Sequence, residues 1–142
     1  MKLKSLVVLL LFSLNCYPQG KVVDYKLKTS ANEKERTQML DALRVELKKQ
    51  WKLEFIFTVN YFKANDTYAW LQASAERKDG KAMTFPDDAY DCCHVECLFK
   101  KQDGKWLVLR KGAFSTDVWF DGLEKKYPGA AKLIFPEGRV YQ

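Results

Sequence analysis

The sequence lacks most of the residue patterns that mark common enzymes. Only one of its 142 residues is a histidine, His94, so any catalytic triad with a histidine base must use this one. No glycine-rich phosphate-binding loop, no nucleophile elbow and no HExxH zinc motif occurs in the chain. These absences exclude the enzyme classes that carry those motifs, and they give no reason to expect a cofactor.

The chain also lacks a strong surplus of one charge. It has 24 lysines and arginines against 18 aspartates and glutamates, which gives a formal net charge of +6. Lys2 and Lys4 lie in a leader without acidic residues, so the rest of the chain has a net charge of +4. The basic residues are scattered and are not clustered with aromatic residues on one face. Binding to nucleic acid is therefore not expected.

Long apolar runs are confined to the leader. A basic start precedes an apolar segment at residues 6–14, and Pro18 follows it. This order is typical of a secretory signal peptide, and the apolar segment is too short to span a bilayer. We therefore predict a signal peptide at residues 1–19 and a single domain at residues 20–142, exported to the periplasm or secreted.

A second interpretation of the leader stays open. Ser13-Leu14-Asn15-Cys16 faintly resembles the lipidation box of bacterial lipoproteins, in which the cysteine carries the lipid. Cys16 would then anchor the protein to a membrane, although a small residue is usual where Asn15 stands. The protein is exported in both interpretations.

Residues 33–51 predict one long amphipathic helix. The segment contains no glycine or proline and is rich in helix-forming residues. Its apolar residues recur at steps of three and four: Leu40, Leu43, Leu47 and Trp51. Ser30-Ala31-Asn32-Glu33 matches a capping box. Since strands follow directly, this apolar stripe is expected to pack on a sheet.

The segments that follow the helix alternate as β-strands do. Residues 53–63 place apolar side chains at every second position, and residues 68–77 form the next strand. The second strand has small apolar residues on one side: Ala69, Leu71, Ala73 and Ala75. Trp70 lies on the opposite side. Small residues would let the helix approach the sheet closely.

A hairpin and a short terminal helix complete the predicted fold. Strands at 93–99 and 106–109 flank a five-residue polar loop, Lys101 to Lys105. Ser115-Thr116-Asp117 is predicted to cap a short helix that runs through 123–127. The fold class is therefore α+β: one long N-terminal helix on a curved antiparallel sheet of four to five strands, with a short C-terminal helix.

The order of these elements and three short motifs carry a resemblance. Asp41-Ala42-Leu43-Arg44 lies in the helix, Gly104-Lys105-Trp106 opens the last strand, and Thr116-Asp117 precedes the terminal helix. The order resembles that of cystatin-like and nuclear-transport-factor-like domains. Over residues 33–135 the motifs resemble those of small uncharacterised exported bacterial proteins. The resemblance implies the α+β fold and export, and it implies no activity.

Three cysteines and the histidine lie within six residues. Thiolates and an imidazole can bind zinc, but on a strand Cys93 and Cys97 face one way while Cys92 and His94 face the other. No metal site is therefore expected. Export favours disulfides, yet either early cysteine reaches Cys97 only through a bend, and a Cys92–Cys93 bridge is sterically strained. We interpret all three as structural cysteines, buried or bridged locally. Once Cys16 is removed with the leader, at least one of the three is free or pairs with another molecule.

Two further chemistries are conceivable near this stretch. Cys92, His94 and Glu96 share one face of the strand, as a cysteine nucleophile with its base would require. Side chains that stand parallel along one strand rarely meet, however, so no catalytic residue is predicted. The acidic loop 87–91 could bind calcium, but it lacks the ligand spacing of an EF-hand. A solvated loop is the preferred interpretation.

Aromatic residues provide the remaining candidates for function. Four of them are predicted to lie on the concave sheet face, opposite or beside the helix, and to bind a protein or a small apolar ligand: Trp70, Phe62, Trp106 and Trp119. The leading prediction is thus an exported, non-catalytic binding or inhibitor-type domain of unknown ligand. The alternative is a small enzyme of the nuclear-transport-factor-like fold, an isomerase or dehydratase, with Tyr61, Tyr68 or His94 in a cavity.

Overall fold

The computed structural model describes residues 20–137. The strands are β1 (Val23–Asp24), β2 (Phe55–Ala64), β3 (Tyr68–Arg77), β4 (Tyr90–Gln102) and β5 (Lys105–Ser115). The helices are α1 (Glu33–Trp51) and α2 (Leu123–Lys126), and a 3₁₀ turn follows at Lys132–Ile134. The five strands form one antiparallel sheet in chain order, and α1 packs on it. The predicted α+β fold is therefore confirmed.

Helix α1 forms where helix-forming residues carry an apolar stripe. Its buried residues follow the helical period: Met39, Leu40, Leu43 and Leu47. Glu33 and Glu35 occupy the first turn and Lys48 and Lys49 the last, an arrangement that suits the helix dipole. The helix ends at Lys52, whose left-handed φ of 58° lets its N–H donate to the carbonyl of Lys48 at 2.9 Å.

The predicted capping box is wrong. Asn32, rather than Ser30, is the N-cap residue, and its side chain does not cap the helix. That side chain is used by the preceding turn, where it accepts from the N–H of Thr29 at 2.9 Å and donates to the carbonyl of Leu27 at 2.9 Å. The segment Ser30 to Glu33, whose spacing matches a capping box, therefore belongs to the turn that leads into α1.

The β4–β5 hairpin is tighter than its sequence suggests. Asp103 and Gly104 have positive φ values of 51° and 73° and form a two-residue turn. The predicted five-residue loop is wrong, because Lys101 already pairs with Trp106 across the hairpin. The irregularity lies inside the hairpin instead, where the register shifts after Leu98.

One face of the sheet, here called the inner face, packs against α1. The residues of β3 that point to this face are fully buried: Ala69, Leu71, Ala73 and Ala75. The backbone of α1 lies closest to β5 and next to β2, so the predicted close approach of the helix over the small residues of β3 is wrong. Phe62 and Phe99 fill the space beside those residues.

The opposite face, the outer face, is covered by the C-terminal segment 119–135. Trp70 and Leu98 lie in this second core and are fully buried. The Trp70 ring packs against three aromatic rings at centroid distances between 5.3 and 6.0 Å: Trp119, Phe120 and Phe135. Trp119 also lies against Gly112 of β5, where a Cβ would overlap the indole ring. The sheet is thus enclosed by hydrophobic cores on both faces.

The segment between β5 and α2 differs from its prediction. The N-cap residue of α2 is Gly122, with a left-handed φ of 71°, so Ser115-Thr116-Asp117 does not cap the helix. The Ser115 hydroxyl instead accepts from the N–H of Asp117 at 3.1 Å, which forms a turn directly after β5.

A polar cluster fastens the N-terminal arm to the rest of the fold. Glu35 of α1 accepts hydrogen bonds from the ammonium of Lys101 in β4 and from the hydroxyl of Tyr25 at 2.6 Å. These bonds hold the pKa of Glu35 below its ordinary value, while burial and the Glu35 carboxylate raise the pKa of Tyr25. The arm next to β1 and the end of β4 are therefore both tied to α1.

Neither helix within residues 20–137 combines the length and the apolarity that crossing a membrane requires. The predicted signal peptide and Cys16 lie outside the described residues. The predicted domain at 20–142 extends five residues beyond them.

Replacing one buried leucine of α1 should weaken the whole fold. Leu43→Ala removes a fully buried side chain from the inner core, so we expect a loss of about 3 kcal/mol in the free energy of unfolding. Val45→Ala is the matched control on the same helix, since Val45 is 53% exposed, and it should cost less than about 0.5 kcal/mol. Urea unfolding followed by circular dichroism measures both, and equal effects would contradict the packing of α1 described above.

Candidate functional site

The structure does not bring together the four aromatic residues predicted to form a binding face. Phe62 and Trp106 lie in the inner core, with exposed fractions of 0% and 3%. Trp70 lies in the outer core, also at 0% exposure, where it contacts the partly buried Trp119. Alternation assigns residues to the faces of a strand, but it does not show which face the rest of the chain covers. The polar and aromatic groups that solvent or a ligand can reach lie elsewhere, where β4 begins and β5 ends.

The cysteine pair lies at the start of β4. Cys92 and Cys93 are joined by a disulfide, whereas Cys97 is a buried free thiol. Burial raises the pKa of the Cys97 thiol well above its usual range, so this thiol does not form a reactive thiolate. Cys92 is exposed, and Cys93 packs against the inner core. Neither sulfur of the disulfide can act as a nucleophile while the bond is intact.

His94 and Glu96 meet on the outer face. Nε2 of His94 lies 3.1 Å from Oε1 of Glu96, and the Gln72 side chain donates to the same oxygen at 2.9 Å. The Glu96 side chain is 5% exposed, while that of His94 is 42% exposed. A buried carboxylate needs such donors because desolvation penalises its charge.

The expectation that side chains on this strand would not meet is wrong for His94 and Glu96. The register between β4 and β5 shifts between Tyr90 and Val95, and such irregularities redirect side chains. The hydrogen bond to Glu96 and then the charges of Glu96 and Asp91 raise the pKa of His94, and burial opposes them.

His94 is therefore a titratable hydrogen-bond donor on the outer face of the sheet. Its ring is nearly half exposed, it is directly opposite Ser74 in the register, and its carboxylate partner is buried beneath it. Within residues 20–137, no three histidine, cysteine, aspartate or glutamate side chains are placed to hold a metal ion. The arrangement can donate a hydrogen bond to an anionic or carbonyl group of a partner.

A cleft of about 580 Å³ opens at the same end of the sheet. It lies between the last turn of α1, the loop before β4 and the segment that follows β5. Its lining includes Gln50, Trp51, Asp87, Tyr90, Phe114 and Asp117. We call this surface the Trp51 cleft. Its volume falls within the range of about 300–1,000 Å³ that is usual for ligand sites.

Trp51 is the centre of the aromatic part of the cleft. Its ring makes edge contacts with Phe114 and Tyr90 at centroid distances of 5.1 and 5.6 Å, and Phe85 stacks on Tyr90 at 5.1 Å. Phe114 has a left-handed φ of 58°, which costs roughly 1–2 kcal/mol for a residue other than glycine. The packing of Trp51 and Phe85 on Phe114 offsets this cost and fixes the bend at the end of β5.

The polar part of the cleft is held by short turns. Asp87 accepts from the N–H of Ala89 at 2.9 Å, and Ser115 accepts from that of Asp117 at 3.1 Å. The Thr116 hydroxyl donates to the carbonyl of Ala89 at 3.4 Å and joins the two segments. Among the described residues, the carboxylate of Asp117 has no hydrogen-bond or ion-pair partner. An exposed carboxylate thus lines the same cleft as the aromatic rings.

Sequence reasoning missed the Trp51 cleft, although it considered both polar segments. The acidic loop 87–91 is predicted as solvated, and Thr116-Asp117 is predicted as a helix cap. What brings them together is the pairing of Tyr90 with Ser115. The β4–β5 register shifts twice before this pair, so counting back from the hairpin turn does not find it.

The pairing of His94 with Glu96 makes a measurable prediction about its titration. In a proton NMR titration of the imidazole, the pKa of His94 should lie above the ordinary value of 6.5. Glu96→Gln keeps the shape and an acceptor for Gln72 but removes the charge, so the pKa of His94 should fall. Because the chain has one histidine, the signal needs no further assignment.

Glu33→Gln serves as the control, since Glu33 lies at the start of α1 and pairs with Lys28. It should leave the pKa of His94 unchanged. A folded pKa above the unfolded one means that the His94–Glu96 pair stabilises the fold below about pH 6.5. This stabilisation is lost as the pH rises through the raised pKa. An identical pKa in wild type and Glu96→Gln would disprove the pairing.

The cysteine arrangement predicts the order in which thiols react. Alkylation of the native protein should modify none of Cys92, Cys93 and Cys97, and unfolding without a reductant should expose only Cys97. Reduction should then make all three reactive. Peptide mapping by mass spectrometry reads each step, and alkylation of Cys92 or Cys93 before reduction would contradict the disulfide.

The comparisons with known proteins give no match. No family model matches the chain, and neither a curated protein nor a solved structure matches it. The likeness to cystatin-like and nuclear-transport-factor-like domains therefore stays a prediction. The function has to be inferred from the disulfide, the His94–Glu96 pair and the Trp51 cleft.

Proposed function

We propose that this chain is an exported, non-catalytic binding domain of the inhibitor type, and that a partner protein binds in the Trp51 cleft. The observation that carries the proposal is the cleft itself, in which an aromatic surface occurs together with the Asp117 carboxylate, unpaired among residues 20–137. Export is supported by the layout of the leader, a basic start followed by a short apolar segment. The cystatin-like order of one helix and an antiparallel meander supports an inhibitor role by analogy.

The aromatic residues of the cleft suit an interface. Tyr90 is 37% exposed, and Trp51 is partly buried among three other rings. Tryptophan and tyrosine are the residues whose truncation most often weakens protein complexes. Because neighbouring rings already hold Trp51 in place, binding costs little side-chain entropy at this residue.

The lining of the cleft favours binding over catalysis. The lining residues between 20 and 137 include no histidine, cysteine or lysine, so within this part of the chain no histidine or lysine lies beside Ser115 and Thr116 to act as their base. His94 lies on the outer face and is not part of the lining. The sulfur of Cys92 is bonded to Cys93, which removes the nucleophile from the predicted Cys92, His94 and Glu96 arrangement.

The alternative enzyme needs a polar group inside a cavity of the sheet. Tyr68 belongs to the outer core with an exposed fraction of 8%, and Tyr61 packs against the same core. His94 faces solvent on the outer side. The space between α1 and the inner face holds Leu43 and Phe62 among other fully buried apolar side chains. These positions support the binding domain as the better proposal.

Loss of the cleft side chains should weaken capture of the partner. In the double variant Tyr90→Ala with Asp117→Ala, we expect at least one protein to be captured about tenfold less from cell-envelope extract and culture medium of the source organism. Quantitative mass spectrometry of the captured proteins measures the difference. The bait is the exported protein, immobilised in its full exported form.

The matched control changes an aliphatic residue and an acid at the other end of the β4–β5 hairpin. Leu107 is 48% exposed, and Asp103 has a left-handed φ of 51° that asparagine tolerates. Leu107→Ala with Asp103→Asn should therefore capture the partner as wild type does. Capture that is unaffected by the cleft variant would reject the cleft as the binding site. A purified protein that still begins at Met1 would reject export with signal-peptide cleavage.

A further inference from the structure

The Trp51 cleft has a charge pattern that selects among ligands. We propose that it binds a guanidinium group, presented by an arginine side chain of the partner. This inference rests on the proposed function, because the arginine would occupy the same cleft. It adds the chemical class of the group that the cleft recognises.

The first argument is charge. Among residues 20–137, the lining of the cleft includes Asp87 and Asp117 and no lysine or arginine, although the chain as a whole is basic. The lysines in the last turn of α1 are already paired, Lys48 with Glu54 at 2.7 Å and Lys49 with Glu46 at 2.8 Å. Within the described part of the chain, no cation is therefore paired with the carboxylates of the cleft, and a cationic ligand complements them.

The second argument is the aromatic surface. Cations bind over the faces of tryptophan and tyrosine rings. Elsewhere in the fold the chain supplies such cations itself, with Arg44 over Phe57 at 5.3 Å and Lys63 over Tyr61 at 5.3 Å. Within the part of the chain that the structure describes, no lysine or arginine lies over the rings of the cleft. Of these rings, Phe114 is fully buried, so Tyr90, which is 37% exposed, and the partly buried Trp51 are the ones that a cation from outside can reach.

The third argument is the set of acceptors. A guanidinium carries five N–H donors in one plane, and it can bind carboxylates through two bonds while it stacks on a ring. The unpaired carboxylate of Asp117 and the side-chain oxygen of Gln50 can accept such bonds. Asp87 uses only Oδ1 to accept from Ala89, which leaves Oδ2 for a ligand. An ammonium group can also lie over a ring, but it is compact and lacks the planar set of donors that can bind several acceptors while the group stacks.

The test uses three small probes that differ in one group. The indole N–H signal of Trp51 is followed by NMR in ¹⁵N-labelled exported protein, and Trp51→Phe identifies the signal. The probes are the N-acetyl amides of arginine, lysine and citrulline. Citrulline has the shape of arginine without its charge. We expect saturable shifts with the arginine probe, weaker binding of the lysine probe and no shift with the citrulline probe.

Variants locate the binding site of the probe. Asp117→Asn should weaken binding of the arginine probe about fivefold, because one charge–charge contact is lost. Asp103→Asn removes an exposed acid at the far turn and should leave the affinity unchanged. Equal shifts with the citrulline or the lysine probe, or an unchanged affinity in Asp117→Asn, would overturn the guanidinium assignment.

The two proposals can fail separately. Partner capture that depends on the cleft, together with no response to the arginine probe, would reject the guanidinium and leave the binding function intact. A response to the arginine probe, with no partner lost from the cleft variant, would support the ligand class and reject the proposed protein partner.

Discussion

The alternation of side chains along β3 and β4 governs the rest of the molecule. Because both strands are central, each must bury residues on two faces, and the chain supplies a different cover for each. Helix α1 covers the inner face through leucines at helical spacing, and the segment 119–135 covers the outer face around Trp70. Neither cover extends over His94, whose side chain is 42% exposed on the outer face. The polar chemistry therefore lies where the covers end.

The row formed by Gln72 and Glu96 marks that boundary on the outer face. The neighbouring pair on one side, Trp70 with Leu98, is fully buried in the outer core. The neighbouring pair on the other side, Ser74 with His94, lies near solvent. Glu96 is buried at the boundary, so its charge must be balanced by donors. Gln72 and His94 supply them, and the raised pKa of His94 follows from the same contact.

Sequence reasoning was reliable for features that repeat along the chain and failed for features that depend on distant segments. The stripe of α1 and the placement of Trp70 opposite the alanines follow from two periods that can be read directly. The burial of Trp70 does not follow, because the residues that cover it lie far along the chain, in the C-terminal segment that contains Trp119 and Phe135. The Trp51 cleft could not be predicted from the sequence for a related reason. It depends on the Tyr90–Ser115 pair, and two register shifts in the hairpin move that pair away from its expected partners.

The disulfide has a local role. A disulfide stabilises a fold mainly by closing a long loop in the unfolded chain, and a bond between the neighbours Cys92 and Cys93 closes none. The stability of this small domain must therefore come from its two hydrophobic cores. What the bond does constrain is the backbone at Cys92 and Cys93 themselves. These two residues lie between Tyr90, which lines the cleft, and His94, which lies on the outer face. The bond therefore restricts the backbone that connects these two accessible surfaces.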